Sequence, residues 1–355
     1  MRIRSLLLTL ILLPGLTGAG LYVAPPAWRH WQLHWAADDP VALSALRLDE
    51  ALTQARLSAE VEAAIAARDA DLVDSFVALS RERGLAISSD QHARLAALKD
   101  GAVMRAVSDF GQGFLAGERE SEAGFAGALA GDVIGFGDLR DLAVEGRKWL
   151  GGEAADPTVL AFAAAGLALS AATWVSLGGG LPARNGLSLV KGASRAKLLS
   201  PALSASLGRL AIDAVDRPAL TAGLSAAARL DLAATRAAAG GIIRPAALTR
   251  LADLGQDAGT IYARGGQRGV RQVLAVAEDA GDLRKAAKLG AAKPSTMRAT
   301  LKVLGRGALV VGAFSLSALG WLFAVLGYAL ALAMLAQRFG WWLGRRIIPR
   351  RAASA

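Results

Sequence analysis

The chain of 355 residues contains no cysteine. A disulfide bond, a thiolate nucleophile and a cysteine-ligated zinc or iron–sulfur site are therefore excluded. Histidine is almost as scarce, because only His30, His34 and His92 are present. The sequence also has no GxSxG motif, no P-loop and no GxGxxG motif after a strand. We therefore predict a protein that is not an enzyme and that holds no cofactor.

Charged residues are few as well, at 20% of the chain, whereas 54% of the residues are hydrophobic and the mean hydropathy is +0.37. This composition is too apolar for an ordinary soluble protein and too charged for a transporter that consists mostly of spans. We predict an all-α membrane protein with two to four transmembrane or re-entrant helices and with helical regions outside the membrane.

The first long uncharged segment follows Arg2 and Arg4 at the N-terminus. About 20 apolar residues suffice to cross a bilayer as a helix. Residues 1–24 are therefore either a signal anchor or a signal peptide, for which Thr17 and Ala19 offer a small-x-small cleavage site. Both alternatives export the residues that follow.

Two further segments lack charge. Residues 157–182 predict a transmembrane helix whose small side chains would allow another helix to approach closely. Residues 307–337 form an uncharged run of 31 residues, which would make a helix of about 46 Å. This length is long for one span and short for two. The segment is therefore either one transmembrane helix or a hairpin that bends near Gly320 or Gly327.

The regions between these segments differ in charge. Residues 25–156 hold 13 basic and 22 acidic side chains, residues 183–306 hold 20 and 8, and the tail 338–355 adds five arginines. Cytoplasmic flanks of membrane spans are enriched in lysine and arginine. Arginine also far outnumbers lysine, a bias that indicates a GC-rich bacterial genome. We therefore predict a bacterial inner-membrane protein with an acidic helical domain, 25–100, in the periplasm and a basic helical region, 183–306, in the cytoplasm. A Gly-rich helical segment, 101–156, precedes the second span.

The basic side chains also predict a partner. Aromatic residues are nearly absent from 183–306, where Tyr262 is the only one, so no stacking platform for nucleic acid is present and we do not expect nucleic acid to bind. Anionic lipid headgroups explain the charge more simply, together with a protein partner or self-association. The residues predicted to face such lipid are Arg284, Lys285, Lys288, Lys293, Arg298, Lys302, Arg306, Arg345, Arg346, Arg350 and Arg351.

The stretch WRHWQLHW, residues 28–35, suggests a metal site, because His30 and His34 are four residues apart and would share one helix face. A zinc site needs a third ligand, and the position after the first histidine, which is glutamate in HExxH, holds Trp31 here. We therefore reject the metal site and predict a belt at the membrane surface, where indole rings are favoured. The tryptophans assigned to membrane surfaces are Trp28, Trp31, Trp35, Trp149, Trp341 and Trp342.

Within the acidic domain the apolar spacing predicts short amphipathic helices. Ser58 is a plausible N-cap for one of them. Asp69 and Asp71 precede the next, and Gly84 is placed to end it. We predict a small helical bundle.

The Gly-rich segment contains GxxxGxxxG at Gly127, Gly131 and Gly135, which would let a partner helix approach closely. Asp132 lies inside this motif, and a carboxylate at the bilayer centre would cost about 2.5–3.5 kcal/mol. We therefore predict a helix at the membrane surface or packed against protein rather than a span.

The residues Asp132, Gly137, Asp138, Arg140 and Asp141 resemble the pre-toxin helical segment of bacterial polymorphic toxins, over about 35 residues. No recognisable toxin domain follows, and the C-terminal half contains no histidine or cysteine. As a whole the chain resembles uncharacterised inner-membrane proteins of GC-rich proteobacteria, which have this motif, the 157–182 span and the basic C-terminus in the same order. This resemblance implies a location and no activity.

Asp138 and Asp141 could form a carboxylate pair for acid–base chemistry, but the start of a solvated helix explains them more simply. We predict a membrane-anchored, non-enzymatic scaffold or interaction protein. The alternative is an oligomeric pore-forming or toxin-related membrane effector, which depends on the GxxxGxxxG face and the toxin-like segment.

Overall fold

The computed structural model describes residues 2–99, 136–153, 159–166, 181–229, 231, 234, 241–242, 244–311 and 316–347. Apart from turns and short connections these residues are helical, which confirms the all-α prediction. The chain divides into two compact units. The first combines Met1–Asp38 with Val311–Ala355, and the second comprises Asp39–Val310.

The described helices are numbered here in chain order. Helices α5 and α7 border residues outside the description, so their limits are those of the described segments. The helices are α1 (Arg2–Trp35), α2 (Pro40–Ala51), α3 (Gln54–Ala66), α4 (Ala70–Arg83), α5 (89–99), α6 (Phe136–Leu150), α7 (159–166), α8 (Leu181–Arg195), α9 (Pro201–Ala214), α10 (Arg217–Ala228), α11 (Pro245–Val276), α12 (Ala280–Ala292), α13 (Met297–Leu304) and α14 (Leu316–Ile347), with a 3₁₀ turn at Gly305–Ala308.

The first unit contains two long helices, α1 with 34 residues and α14 with 32. Helix α14 is continuous, with Gly320 and Gly327 inside it. Of the two alternatives for residues 307–337, the structure therefore has the single helix, which begins at Leu316. The hairpin within this segment is not formed, because the backbone bend that it requires is absent from α14.

The helices at the start of the second unit begin and end at residues suited to those positions. Asp39 and Thr53 cap α2 and α3, and Asp69 caps α4. Gly84 ends α4 with φ of 65°, a left-handed conformation that glycine adopts without strain. The helix limits predicted at Asp69 and Gly84 are confirmed. The predicted N-cap Ser58 is wrong, because it lies within α3.

One hydrophobic cluster of the second unit combines residues from distant parts of the chain. Leu57, Val61 and Phe76, from α3 and α4, are fully buried in it. Ala299 and Val303 of α13 belong to the same cluster. The helices near the N-terminus therefore complete their core with a helix that lies more than 200 residues later in the chain.

The larger cluster is organised around a close crossing of α8 and α11. A Cβ atom added to Gly186 would overlap the carbonyl oxygen of Gly255 and lie 2.8 Å from the amide nitrogen of Gly259. Only glycine permits this approach of two backbones. Further along α11, Gly266 has φ of 64° and ψ of −170° and kinks the helix. That conformation is essentially restricted to glycine.

Helix α7 covers the first described part of the predicted span 157–182. All eight residues 159–166 are buried, and Leu160 and Phe162 lie in the larger hydrophobic cluster with Leu187 and Val190 of α8. These residues are therefore part of a protein core, whereas we predicted a transmembrane helix. Burial within the second unit explains the apolar character of residues 159–166. Residues 167–180 lie outside the described residues.

The acidic and basic regions also differ from the prediction. We placed 25–100 and 183–306 on opposite sides of a membrane, but α13 packs against α2 and α4 within one unit. A membrane between them is incompatible with this shared core, so the predicted arrangement is corrected. Residues 39–310 together hold 32 basic and 29 acidic side chains. The charge asymmetry of the sequence is therefore largely neutralised within the unit.

Candidate functional site

The first unit is a pair of antiparallel helices. Gly20 of α1 lies against the ring of Tyr328, and the rings of Tyr22 and Trp321 are 6.0 Å apart between centroids at an angle of 48°. Residue numbers rise along one helix as they fall along the other. The first turn of α1 and the last turn of α14 therefore lie at the same end of the pair.

Both helices have the length of a membrane span. The uncharged part of α1, from Ser5 to Trp28, has 24 residues, and that of α14, from Leu316 to Gln337, has 22. These stretches measure about 36 Å and 33 Å, against a hydrocarbon thickness of about 30 Å. Among the described residues, one stretch is both long enough and apolar enough to cross a membrane, Phe323–Trp341 in α14.

The outer surface of this helix pair is apolar. Leu21 on α1 is 77% exposed, and Phe323 and Leu330 on α14 are 64% and 63% exposed. None of the stretch Phe323–Trp341 is buried. Water-exposed apolar surface on this scale is uncommon in monomeric soluble proteins and marks a site of contact with protein or membrane.

The tryptophans near the end of α1 form an exposed stripe. Trp28, Trp31 and Trp35 are 62%, 55% and 72% exposed, and the last two rings are 5.9 Å apart between centroids. Trp341 on α14 is 65% exposed. The side chain of Trp342 lies outside the described residues. An exposed stripe is the arrangement that the predicted belt requires.

Trp149 differs from the other predicted belt residues. It lies in α6 and packs against the larger hydrophobic cluster of the second unit. The guanidinium of Arg217 lies 5.3 Å from the centroid of its ring, which is a cation–π geometry. The assignment of Trp149 to a membrane surface is therefore corrected, because this indole is held by protein contacts within the second unit.

His30 and His34 are placed on α1 as the spacing predicted. In the part of the chain that the structure describes, no three histidine or acidic side chains are grouped closely enough to hold a metal ion. The tryptophan stripe remains the feature of this stretch that bears on function.

Several basic residues assigned to anionic lipid are engaged in ion pairs instead. Their partner carboxylates come from α4, from α11 and from the residues around the start of α12, so these cations neutralise acidic side chains of their own unit. The pairs are Arg284 with Asp253 and Asp257, Lys293 with Glu82, Arg298 with Asp69, and Arg306 with Glu278 and Asp282. Arg298 is buried, so its lipid assignment is corrected. The assignment of Arg284, Lys293 and Arg306, whose side chains are partly exposed, stays a prediction.

Four other basic residues of the lipid prediction lie in the tail, and three lie on α12 or α13. Lys288 and Lys302 are exposed and Lys285 is half-buried, so their assignment stays a prediction. The side chains of the tail residues Arg345, Arg346, Arg350 and Arg351 lie outside the described ones.

The buried pair of Asp69 and Arg298 links α4 to α13. The guanidinium donates two hydrogen bonds to the carboxylate, of 2.9 Å and 2.6 Å, and Asp69 also accepts the amide N–H of Leu72 as N-cap. Burial alone raises the pKa of Asp69. The bonds and charge of Arg298, the Leu72 amide and the charge of Arg268 outweigh that effect, so the pKa is lowered.

Arg47 makes a second long-range link. Its Nη1 donates hydrogen bonds to the carbonyl oxygens of Gly307 and Val310, of 2.6 Å and 3.0 Å. These carbonyls lie at the end of the 3₁₀ turn. The last carbonyl groups of a helix have no N–H group within the helix to pair with. Desolvation lowers the pKa of Arg47. The arginine thus ties α2 to the last residues of the second unit.

Asp141 lies in the toxin-like segment. It is 3% exposed and its Oδ2 is 3.2 Å from the Nζ of Lys191, which is 2% exposed. The prediction of a solvated helix start is therefore wrong for this residue, which is buried between α6 and α8. The side chains of Asp138 and Arg140 lie outside the described ones. Gly127, Gly131 and Gly135 also lie outside the described residues. The pore alternative depends on the GxxxGxxxG face that these three glycines form in the sequence.

One recess of the second unit lies between α2, α4 and α12. Ser44, Glu82, Arg83, Lys293 and Thr296 are among its lining residues. Its volume is of the order of one water molecule, which is too small for an organic ligand. Comparison with protein-family models, with curated proteins and with solved structures finds no match to the chain. The apolar helix pair is therefore the feature from which a function is best argued.

Proposed function

We propose that the chain is a membrane-anchored, non-enzymatic scaffold or interaction protein of the bacterial inner membrane. In this proposal α1 and α14 lie in the bilayer, and the second unit binds a protein partner or a second copy of the chain. The apolar, exposed surface of the helix pair is the observation that carries the membrane part. Moving one exposed leucine-sized side chain out of water is worth about 1.5–3 kcal/mol, and each helix presents several.

The scaffold part of the proposal rests on how the second unit uses its polar side chains. Three buried carboxylates of the second unit are occupied in contacts with basic side chains of other helices. Asp69 pairs with Arg298, Asp141 pairs with Lys191, and Asp282 accepts a bond from Arg306. Such pairs connect helices to one another. A unit held together in this way is suited to presenting a fixed surface.

Membrane placement predicts a pattern of fluorescence quenching. In vesicles that contain brominated lipid, we expect Trp28, Trp31 and Trp35 to be quenched and Trp149 to be protected by its contacts in the second unit. Replacing the first three together by phenylalanine should lower the quenched fraction of the emission. Trp149→Phe should raise it, because it removes an unquenched emitter. Equal quenched fractions in both variants would contradict the proposed placement.

The interaction part predicts a partner that depends on the folded second unit. In a mild-detergent pull-down we expect the wild-type chain to retain a partner, or a second copy, in constant ratio. The variant Gly269→Ala, whose added methyl group meets only ordinary contacts at 3.7 Å, should retain the same partner. Gly255→Ala, which disrupts the close helix crossing, should lose it. A monomeric chain without a partner in repeated preparations would contradict the scaffold function.

A further inference from the structure

The charge of the first unit is concentrated at one end of its helix pair. Residues 1–38 and 311–355 hold eight arginines and one acidic residue, Asp38. Seven of these arginines belong to the first turn of α1 or to the chain from residue 338 onward. They are Arg2, Arg4, Arg338, Arg345, Arg346, Arg350 and Arg351. Because α1 and α14 are antiparallel, the arginines of the first turn of α1 and those of α14 lie at the same end, and Arg350 and Arg351 follow the end of α14 within a few residues in the sequence.

The opposite end of the pair carries fewer basic residues. Within about 15 residues of it, the range in which basic residues orient a span, the chain has Arg29, Arg47, Lys302 and Arg306. Arg47 is hydrogen-bonded to the carbonyl oxygens of Gly307 and Val310. Arg306 is paired with Glu278 and Asp282. The long region between the spans counts little for orientation, because charge bias acts mainly through short flanks.

We infer that α1 and α14 form a two-span hairpin with both chain ends in the cytoplasm and the whole second unit, acidic and basic regions together, in the periplasm. This inference rests on the proposed membrane function and deepens it. The arginines at the chain ends meet the anionic headgroups of the cytoplasmic leaflet, where each contributes on the order of 1 kcal/mol. A partner of the second unit is then a periplasmic protein or a periplasmic part of a membrane protein.

The same geometry assigns residues 1–24 to an anchor rather than to a cleaved peptide. Cleavage after Ala19 would leave residues 20–35 of α1, about 24 Å of helix, which is too short to cross the bilayer. It would also remove Arg2 and Arg4 from the charged end. We therefore expect the mature chain to retain its N-terminus. Mass spectrometry of the purified protein tests this by measuring the mass of the chain.

The absence of cysteine allows labelling at single introduced thiols. Ser89 and Ser295 are exposed positions of the acidic and basic regions, and Ser354 lies in the tail. We would change each to cysteine in the full chain and add a membrane-impermeant maleimide to spheroplasts or to inverted vesicles. The expected result is labelling of Ser89→Cys and Ser295→Cys in spheroplasts, and of Ser354→Cys in inverted vesicles only.

Every other pattern overturns the topology. Labelling of Ser89→Cys without labelling of Ser295→Cys in spheroplasts would show that a membrane separates the acidic region from the basic region. Labelling of Ser354→Cys in spheroplasts would put the tail outside. Release of the wild-type chain from membranes by alkaline carbonate would have a different meaning. It would overturn the proposed membrane function itself, whichever side of the membrane the second unit faces.

A cross-link tests the contact between α1 and α14 directly. In the variant with Tyr22→Cys and Trp321→Cys, a short bismaleimide should join the two helices. The matched variant with Tyr22→Cys and Phe339→Cys places the second thiol 18 residues further along α14, about 27 Å away, and should stay unlinked. Linking of the second variant and not of the first would overturn the hairpin.

Discussion

Gly255→Ala is expected to destabilise the protein by about 3 kcal/mol, the upper part of the range for overpacking, because the contact is between backbones. The added Cβ would overlap the carbonyl oxygen of Ala183 and lie 2.8 Å from its carbonyl carbon. Both are backbone atoms and cannot rotate away. Relief requires α8 and α11 to separate, which loosens the packing of Leu187 against α11 as well. Chemical denaturation of the full chain in detergent, followed by circular dichroism, measures the effect.

The matched control is Gly269→Ala in the same helix. Its added Cβ would lie 3.7 Å from Cδ of Arg298, which is an ordinary contact. Alanine is favoured over glycine in a helix by about 0.8–1.0 kcal/mol. We therefore expect this variant to be as stable as the wild type or slightly more stable. Equal destabilisation by both substitutions would contradict the close crossing of α8 and α11.

Asp69→Asn is expected to have the second large effect, a loss of about 3–5 kcal/mol, because it leaves the guanidinium of Arg298 buried without a countercharge. The same substitution at Asp74 is the control. Asp74 pairs with Lys99 at 2.7 Å, but both side chains are about half exposed. Exposed pairs contribute up to about 1 kcal/mol. Denaturation midpoints of the two variants compare a buried pair with an exposed one.

A double substitution separates the pair from the capping role of Asp69. Asp69→Ser keeps a side chain that can cap α4 and removes the charge. Adding Arg298→Met then removes the unpaired cation, so the double variant should be more stable than Asp69→Ser alone. If Arg298→Met adds a further loss instead, the free energy assigned to the unpaired charge is wrong.

The same pair predicts the response to acid. The pKa of Asp69 is lower in the folded protein than in the unfolded chain, where a carboxyl of this type titrates near pH 3.9. Its contribution to stability is therefore complete above that pH and is lost as the pH falls through the folded pKa. Between about pH 5 and 2 the wild type should lose more stability than Asp69→Asn. Parallel pH profiles would contradict this assignment.

Local features of the sequence predicted local features of the fold. The residues at the limits of α4, Asp69 and Gly84, act through hydrogen bonds and backbone conformation within a few positions of themselves. They were therefore readable from the sequence. The second role of Asp69, its pairing with Arg298, depends on a helix more than 200 residues away. No pattern within either segment indicates that partner.

The predictions from charge and from apolarity were wrong where one sequence pattern can have two different structural causes. A basic run such as Arg298 to Arg306 has the same appearance whether it faces lipid or pairs with carboxylates of another helix. Likewise, the apolar run that begins at 157 satisfies the length rule for a span, although residues 159–166 are buried by protein. The composition of a segment shows that the segment avoids water. It does not show whether lipid or protein covers it.

The order in which the chain is synthesised has a consequence for the cluster that contains Phe76, Ala299 and Val303. Ribosomes add roughly 5–20 residues per second, so α4 is complete for roughly 10–40 seconds before α13 emerges. During this interval Phe76 and its neighbours lack the helix that covers them, and Arg47 lacks the carbonyls of Gly307 and Val310. The apolar faces of the nascent N-terminal helices therefore lack part of their native cover until the last helix of the unit arrives.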